Sequence, residues 1–168
     1  CNDGNIYAIN TETGENMWVF KSSSGQISSL NVVNDTVFAG KDNDNISALA
    51  IDAETGEKLW DSALGTQYAS TRGSPTVVDE TVFIPNTENK RLYALEATTG
   101  QILWKSTTMG FIETSPTIVN ETAYIGSSRG LFAIDINTGK EKWKFNPNKI
   151  FDSSPTFAEG IVFVGGGN

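Results

Sequence analysis

AINTETGENMW runs from Ala8 to Trp18, and the same frame returns three times. AIDAETGEKLW spans Ala50 to Trp60, ALEATTGQILW spans Ala94 to Trp104, and AIDINTGKEKW spans Ala133 to Trp143. The tryptophans Trp18, Trp60, Trp104 and Trp143 lie 42, 44 and 39 residues apart. A Thr-Gly pair ends four residues before each one: Thr13-Gly14, Thr55-Gly56, Thr99-Gly100 and Thr138-Gly139. Periods of about 40–45 residues belong to helical arrays or to propeller blades, and the pattern inside one period decides.

That pattern is one of strands. No long segment carries a 3.6-residue period. Short runs of Val, Ile, Phe and Tyr alternate instead with turns of Gly, Asn, Asp and Thr. Between Ile112 and Phe145 the unit reads completely. SPTIV (Ser115 to Val119) is a strand, NET (Asn120 to Thr122) a turn, and AYIG (Ala123 to Gly126) a second strand. SSRG (Ser127 to Gly130) turns into LFAID (Leu131 to Asp135), and INTG (Ile136 to Gly139) turns into KEKWKF (Lys140 to Phe145). Gly139 supplies the positive φ of that last turn. Four antiparallel strands joined by tight turns make a propeller blade. The other periods align with this one. First strands are SLNVV (Ser29 to Val33), SPTVV (Ser74 to Val78), SPTIV and SPTFA (Ser154 to Ala158), and second strands end at Gly40, Pro85, Gly126 and Gly165. The predicted fold is an all-β propeller of four-stranded antiparallel blades, one domain over residues 1–168.

The frame also predicts where blades are cut. Complete blades fall at about 26–62, 70–106 and 111–146. A fourth is divided: NIYAIN (Asn5 to Asn10) and ENMWVF (Glu15 to Phe20) supply its outer strands within 1–21, and its inner strands fall within 150–168. Unpaired strand edges are aggregation hazards, so the halves are expected to be paired. Three arrangements do this. The ends meet in a closed four-bladed ring, two chains exchange ends in an eight-bladed ring, or chains join head to tail in a filament. In a fourth, the missing strands belong to a longer polypeptide. Completion from outside these residues is the expectation, with the closed four-bladed ring as its rival.

The motif Ala-x-Asp-x-x-Thr-Gly-x-x-x-Trp resembles the tryptophan-docking repeat of the quinoprotein-like (PQQ-like) β-propellers, over essentially the whole chain. The resemblance implies an eight-bladed ring as a common form. It also implies that Trp18, Trp60, Trp104 and Trp143 sit between blades, stacked over the turns at Gly14, Gly56, Gly100 and Gly139. An indole suits that role, since it buries a large apolar area and its N–H takes a backbone partner. Asn10 and Glu96 stand where Asp52 and Asp135 stand elsewhere, so the turn's hydrogen bonding is expected to vary among blades. The family includes quinoprotein alcohol dehydrogenases and the scaffold lipoprotein of the outer-membrane β-barrel assembly machine, so the motif speaks for fold more than function.

Composition removes several chemistries. The chain has 168 residues, a net charge of −8, no histidine and one cysteine, Cys1. The acidic balance argues against nucleic acid and against anionic lipid bound by charge. Histidine triads, Cys–His nucleophiles and cysteine zinc sites are excluded. No apolar run has the length of a membrane-spanning helix. Quinoprotein dehydrogenases use a vicinal disulfide and a calcium or lanthanide ion, and a single cysteine cannot make that disulfide. PQQ and Ca2+ are therefore not expected. KDNDN (Lys41 to Asn45) is rich in oxygen ligands but lacks the Gly and distal Glu of an EF-hand loop.

What remains are candidates of lower specificity. Three residues before the Pro column stand Ile27, Arg72, Glu113 and Asp152, which a propeller brings to the mouth of its channel. Arg72, Glu113 and Asp152 read either as an ion-binding group or carboxylate pair, or as a solvated salt bridge. The sequons at Asn34, Asn45 and Asn120 fall in predicted turns and would accept glycans in an exported protein. Cys1 is a candidate for lipidation, although a strand begins within a few residues and leaves little tether. The expected function is a non-enzymatic interaction or assembly module of the cell surface or envelope, binding protein or copies of itself. The alternative is a quinoprotein-type oxidoreductase or a fragment of one.

Overall fold

Turn chemistry divides the chain into short strands, and the computed structural model arranges them as blades. It describes residues 3–22, 26–42, 47–65, 72–107 and 109–167. The first hairpin pairs β1 (Ile6–Ile9) with β2 (Asn16–Phe20). The first full blade holds β3 (Gln26–Ile27), β4 (Asn31–Val33), β5 (Thr36–Asp42), β6 (Ser47–Asp52) and β7 (Lys58–Ala63). The second holds β8 (Thr76–Val78), β9 (Thr81–Asn86), β10 (Arg91–Glu96) and β11 (Ile102–Lys105). The third holds β12 (Thr117–Val119), β13 (Thr122–Ser127), β14 (Gly130–Asp135) and β15 (Glu141–Phe145). The last hairpin pairs β16 (Thr156–Ala158) with β17 (Ile161–Phe163). All pairings are antiparallel between neighbours, so the blades are up-and-down sheets.

In the first and third full blades, first and second strands join through two-residue turns with positive φ at both positions, the hairpin geometry that matches strand twist. Asn34 and Asp35 have φ of 48° and 56°, and Asn120 and Glu121 have 46° and 56°. Asn and Asp tolerate this region better than most residues, which accounts for their choice here. The first strands are shorter than the sequence predicts; in three of them the proline of SPT stands just before the ladder begins. One strand is unforeseen: β3 pairs with the far end of β5, so that β5 runs past Gly40 to Asp42.

The repeated Ala has a packing role. Ala50, Ala94 and Ala133 stand directly opposite Trp60, Trp104 and Trp143, and the register slips by one residue just after each Ala. An aromatic side chain completes the row on the second strand. Phe38 lies 6.0 Å from Trp60, Phe83 5.8 Å from Trp104, and Tyr124 5.8 Å from Trp143. A small residue between two rings keeps the row flat enough to meet the next blade. The apolar clusters accordingly lie between blades. Phe38, Ala50 and Trp60 pack on Val82, Ile84, Tyr93 and Leu95. Phe83, Ala94 and Leu92 pack on Ala123, Ile125 and Ile134. Ile6 of the first hairpin packs on Val37, Leu49 and Ile51.

Among the described residues, the two end hairpins are separate two-stranded sheets with no ladder between them.

Candidate functional site

Two regions collect the candidate residues: the turn-and-tryptophan face between blades and the cleft beside Glu113 and Asp152. At the first, the chain turns sharply after each third strand. The Gly N–H donates to the carbonyl of the residue four before it, at 2.9 Å for Gly14 to Asn10, Gly56 to Asp52 and Gly139 to Asp135, and at 2.8 Å for Gly100 to Glu96. Asp52 Oδ1 accepts from the N–H groups of Glu54 and Thr55 and from the Thr55 hydroxyl, at 3.1, 2.8 and 2.9 Å. Asp135 repeats this with Asn137 and Thr138. Asn10 keeps the two N–H contacts, from Glu12 and Thr13, each at 2.9 Å. Glu96 reaches only the Thr99 hydroxyl, because its extra methylene carries the carboxylate past the backbone. The Thr55 N–H and then its hydroxyl hold the Asp52 carboxyl below its ordinary pKa. For Asp135 the Thr138 hydroxyl leads, against some desolvation, with the Thr138 N–H and Lys142 adding to it.

The turns at Gly56, Gly100 and Gly139 are sockets for the tryptophan of the preceding hairpin or blade. Trp18 Nε1–H donates to the Ala53 carbonyl at 3.0 Å, Trp60 to Ala97 at 2.8 Å, and Trp104 to Ile136 at 2.8 Å. The rings lie flush on the turn glycines. A Cβ on Gly56, Gly100 or Gly139 would come within 2.7, 2.6 and 2.5 Å of ring atoms of Trp18, Trp60 and Trp104. Trp143 departs from the expected role. It is 43% exposed, and among the described residues its N–H meets no acceptor, because no blade turn faces it. At the other end, a Cβ on Gly14 would meet nothing within 4 Å. The chain carries an undocked tryptophan and an unfilled socket.

The Ser-Pro-Thr triplets link the inner strands. Thr76 Oγ1 donates to the Pro116 carbonyl at 2.8 Å, and Thr117 Oγ1 donates to the Pro155 carbonyl. Ser115 and Ser154 hydroxyls accept from the N–H groups of Ser74 and Ser115, at 2.8 and 3.0 Å. In the first blade, which lacks the triplet, Asn31 Nδ2 donates to the Pro75 carbonyl at 3.1 Å. This ladder escapes a sequence reading, which sees the triplet only as the start of a strand.

In the column before the prolines the structure joins two of the three charged candidates. Arg72 Nη1 lies 3.0 Å from Glu113 Oε1, with the side chains 63% and 45% exposed. Asp152 shares with Glu113 a cleft of about 220 Å³ that Phe111, Ser128, Ile150 and Phe151 complete. Ile27 turns instead to the apolar cluster of the first blade. An ion pair this exposed contributes little. Among the described residues no three His, Cys, Asp or Glu side chains converge as metal ligands, and Glu113 is engaged by Arg72. Asn34 and Asn120 are exposed on their turns. Asn45, Cys1 and most of KDNDN lie outside the described residues. No helix among the described residues is long and apolar enough to cross a membrane.

A family model described as "Outer membrane protein assembly factor BamB" matches residues 2–108 and, overlapping, 88–168. The chain belongs to this PQQ-like β-propeller family. Within and around it, the chain is 29% identical to a polyvinylalcohol dehydrogenase of Pseudomonas sp, over 62% of this chain and 20% of that protein. It is 28% identical to tetrathionate hydrolase of Acidithiobacillus ferrooxidans, over the same two shares. BamB of Moraxella catarrhalis superposes with a TM-score of 0.79 and 17% identity, over 98% of this chain and 50% of that one. The computationally designed Ika8 protein superposes at 0.82 with 19% identity, over the same shares. The chain spans a fifth of these curated relatives and half of these two structures.

Proposed function

We propose that this PQQ-like propeller is a non-enzymatic interaction and assembly module of the cell surface or envelope. One observation carries the reading. The repeated polar residues go into turns, staples and the inner ladder, while apolar side chains stay exposed on the complete blades. Val32, Leu59 and Leu103 are 58%, 53% and 54% exposed. Such surfaces bind strands and side chains of protein rather than a small polar substrate. The partner is a protein, another copy of the chain, or both, and no nucleic acid or bound quinone enters the reading. The family description with its outer-membrane protein and the exposed turns at Asn34 and Asn120 support an exported location.

The second reading is a quinoprotein-type oxidoreductase or a piece of one, and the polyvinylalcohol dehydrogenase relative favours it. An absorption spectrum and metal analysis of the purified protein decide between the two. The interaction module shows no quinone band and no stoichiometric Ca2+, and is not reconstituted by added PQQ with Ca2+. A bound quinone with one Ca2+ per chain overturns it.

A further inference from the structure

We propose that the groove between the first and second full blades docks a segment of a partner protein that carries a lysine beside an apolar side chain. The proposal rests on the interaction-module reading and names the chemistry of its partner. Both sides of the groove belong to complete blades of this chain.

The groove has a volume of about 400 Å³. Its floor is Phe38 with Val33, Val77 and Ala97, the half-buried fringe of the apolar cluster between the two blades. The first blade adds Leu59, which is 53% exposed. The second adds Asp79 and Glu80, both exposed on the turn between β8 and β9.

Two side chains set its depth. Val78, Ile118 and Ile136 fringe the next cluster as Val33, Val77 and Ala97 fringe this one. Ile118 stands where Val77 stands, and Ile136 where Ala97 does. The backbone has the same task in both places: the Ala97 and Ile136 carbonyls accept from Trp60 and Trp104, each at 2.8 Å. The difference is therefore one of side-chain volume, and the smaller pair leaves room at the first interface.

The charge of the occupant is read from the third blade. Lys142, one residue before Trp143, folds back onto its own blade. Its Nζ donates to the Glu121 carbonyl at 3.0 Å and to the Thr122 hydroxyl at 2.9 Å, and lies 3.5 Å from Asp135 Oδ2. Thr122 gives its own proton to the Asn120 carbonyl at 3.3 Å, so it offers Lys142 a lone pair. The first blade has the same acceptors in the Asp35 carbonyl, the Thr36 hydroxyl and Asp52. Thr36 lines the groove and likewise donates to the Asn34 carbonyl, at 3.4 Å. Leu59 takes the place of the lysine there and has no donor to offer. Asp79 and Glu80 add two carboxylates from the second blade, and among the described residues neither pairs with a Lys or Arg. An ammonium arriving from outside finds acceptors on both sides. The apolar floor takes its methylene stem and the neighbouring side chain. The net charge of −8 favours a basic segment over an acidic one.

The test is a titration of the isotope-labelled chain with the blocked peptide acetyl-Phe-Lys-Leu-amide, followed by amide NMR. Saturable shifts are expected at Thr36, Asp79, Glu80 and Thr98, with binding weakened by salt. The same peptide with Glu in place of Lys is expected to bind about tenfold more weakly or worse. Ala97→Ile fills the floor with the residue of the third blade. Leu59→Lys supplies the ammonium from within, as Lys142 does, at an exposed position that leaves the fold intact. Each is expected to weaken binding by about tenfold or more, with circular dichroism unchanged. Shifts that do not saturate, saturable shifts confined to other residues, equal binding of the Glu peptide, or undiminished binding by Leu59→Lys overturns the proposal. The spectrum and metal content of the same sample judge the interaction-module reading separately. A failed titration without quinone removes the groove alone, whereas a bound quinone removes both.

Discussion

Gly100→Ala and Gly14→Ala differ in one physical respect, and that makes them a measurement of the staple. Both glycines hold nearly the same backbone, φ of +71° and +72°. An L-residue there costs about 1–2 kcal/mol in either place. At Gly14 the new Cβ meets nothing within 4 Å. At Gly100 it would lie 2.4 Å from Ser62 Oγ and 2.6 Å from Trp60 Cε3. Ser62 is held by its own bond to the Gly100 carbonyl at 2.7 Å, and Trp60 by its bond to Ala97 at 2.8 Å. Neither yields without losing a hydrogen bond, so the overpacking adds about 1–3 kcal/mol. For a chain of this length, 1 kcal/mol moves Tm by about 2–4 °C. Gly100→Ala should therefore melt roughly 2–12 °C below Gly14→Ala. Calorimetry of the two variants under identical conditions makes the comparison. Equal melting temperatures would refute the staple as a tight steric contact. A larger drop at Gly14 would place its socket inside the chain's own fold.

Further outcomes follow from the same contacts. Ala94→Leu forces a branched side chain between Phe83 and Trp104, at a residue with no exposure, and should destabilise by about 1–3 kcal/mol in urea unfolding. Glu96→Asp should let the carboxylate reach the two turn N–H groups that Asp52 reaches, raising Tm by about 1–2 °C. Asp52 and Asp135 have folded pKa values below their unfolded ones, so their stabilisation is complete above about pH 4 and fades as pH falls below it. The urea midpoint should drop between about pH 4 and pH 2, and Asp135→Asn should flatten that drop while keeping the N–H contacts, as Asn10 does. Trp60→Phe should cost about 1–3 kcal/mol, since it strands the Ala97 carbonyl and empties part of the socket.

The fold was legible because its repeat is built from residues with few alternatives. A positive-φ turn calls for Gly, an indole needs both area and an acceptor, and a position between two rings calls for Ala. Those demands recur at every blade and so appear as a period. The inner ladder was not legible, because Ser and Thr bond to partners about 40 residues away and nothing local marks the donor. Nor was β3, two residues long and defined only by its pairing with Lys41 and Asp42. The column of Arg72, Glu113 and Asp152 followed from the frame, but a frame states direction and not distance. That Arg72 closes on Glu113 while Asp152 lines the cleft beside it required coordinates.

The difference among the tryptophans shows how a repeat conceals what is particular. Sequence makes Trp143 equal to Trp60, with the same Ala opposite and the same Thr-Gly ahead. Their environments differ because burial belongs to the neighbour: Trp60 is 8% exposed against the second blade, and Trp143 is 43% exposed. A contact in a repeat protein lies between units, so its energy at a terminus depends on what comes next. The same argument applies to Gly14, whose vacancy is the mirror of Trp143's exposure. An isolated exposed indole is ordinary. Measurements of the staple therefore belong at Trp60 and Trp104, whose acceptors lie in a following blade of this chain.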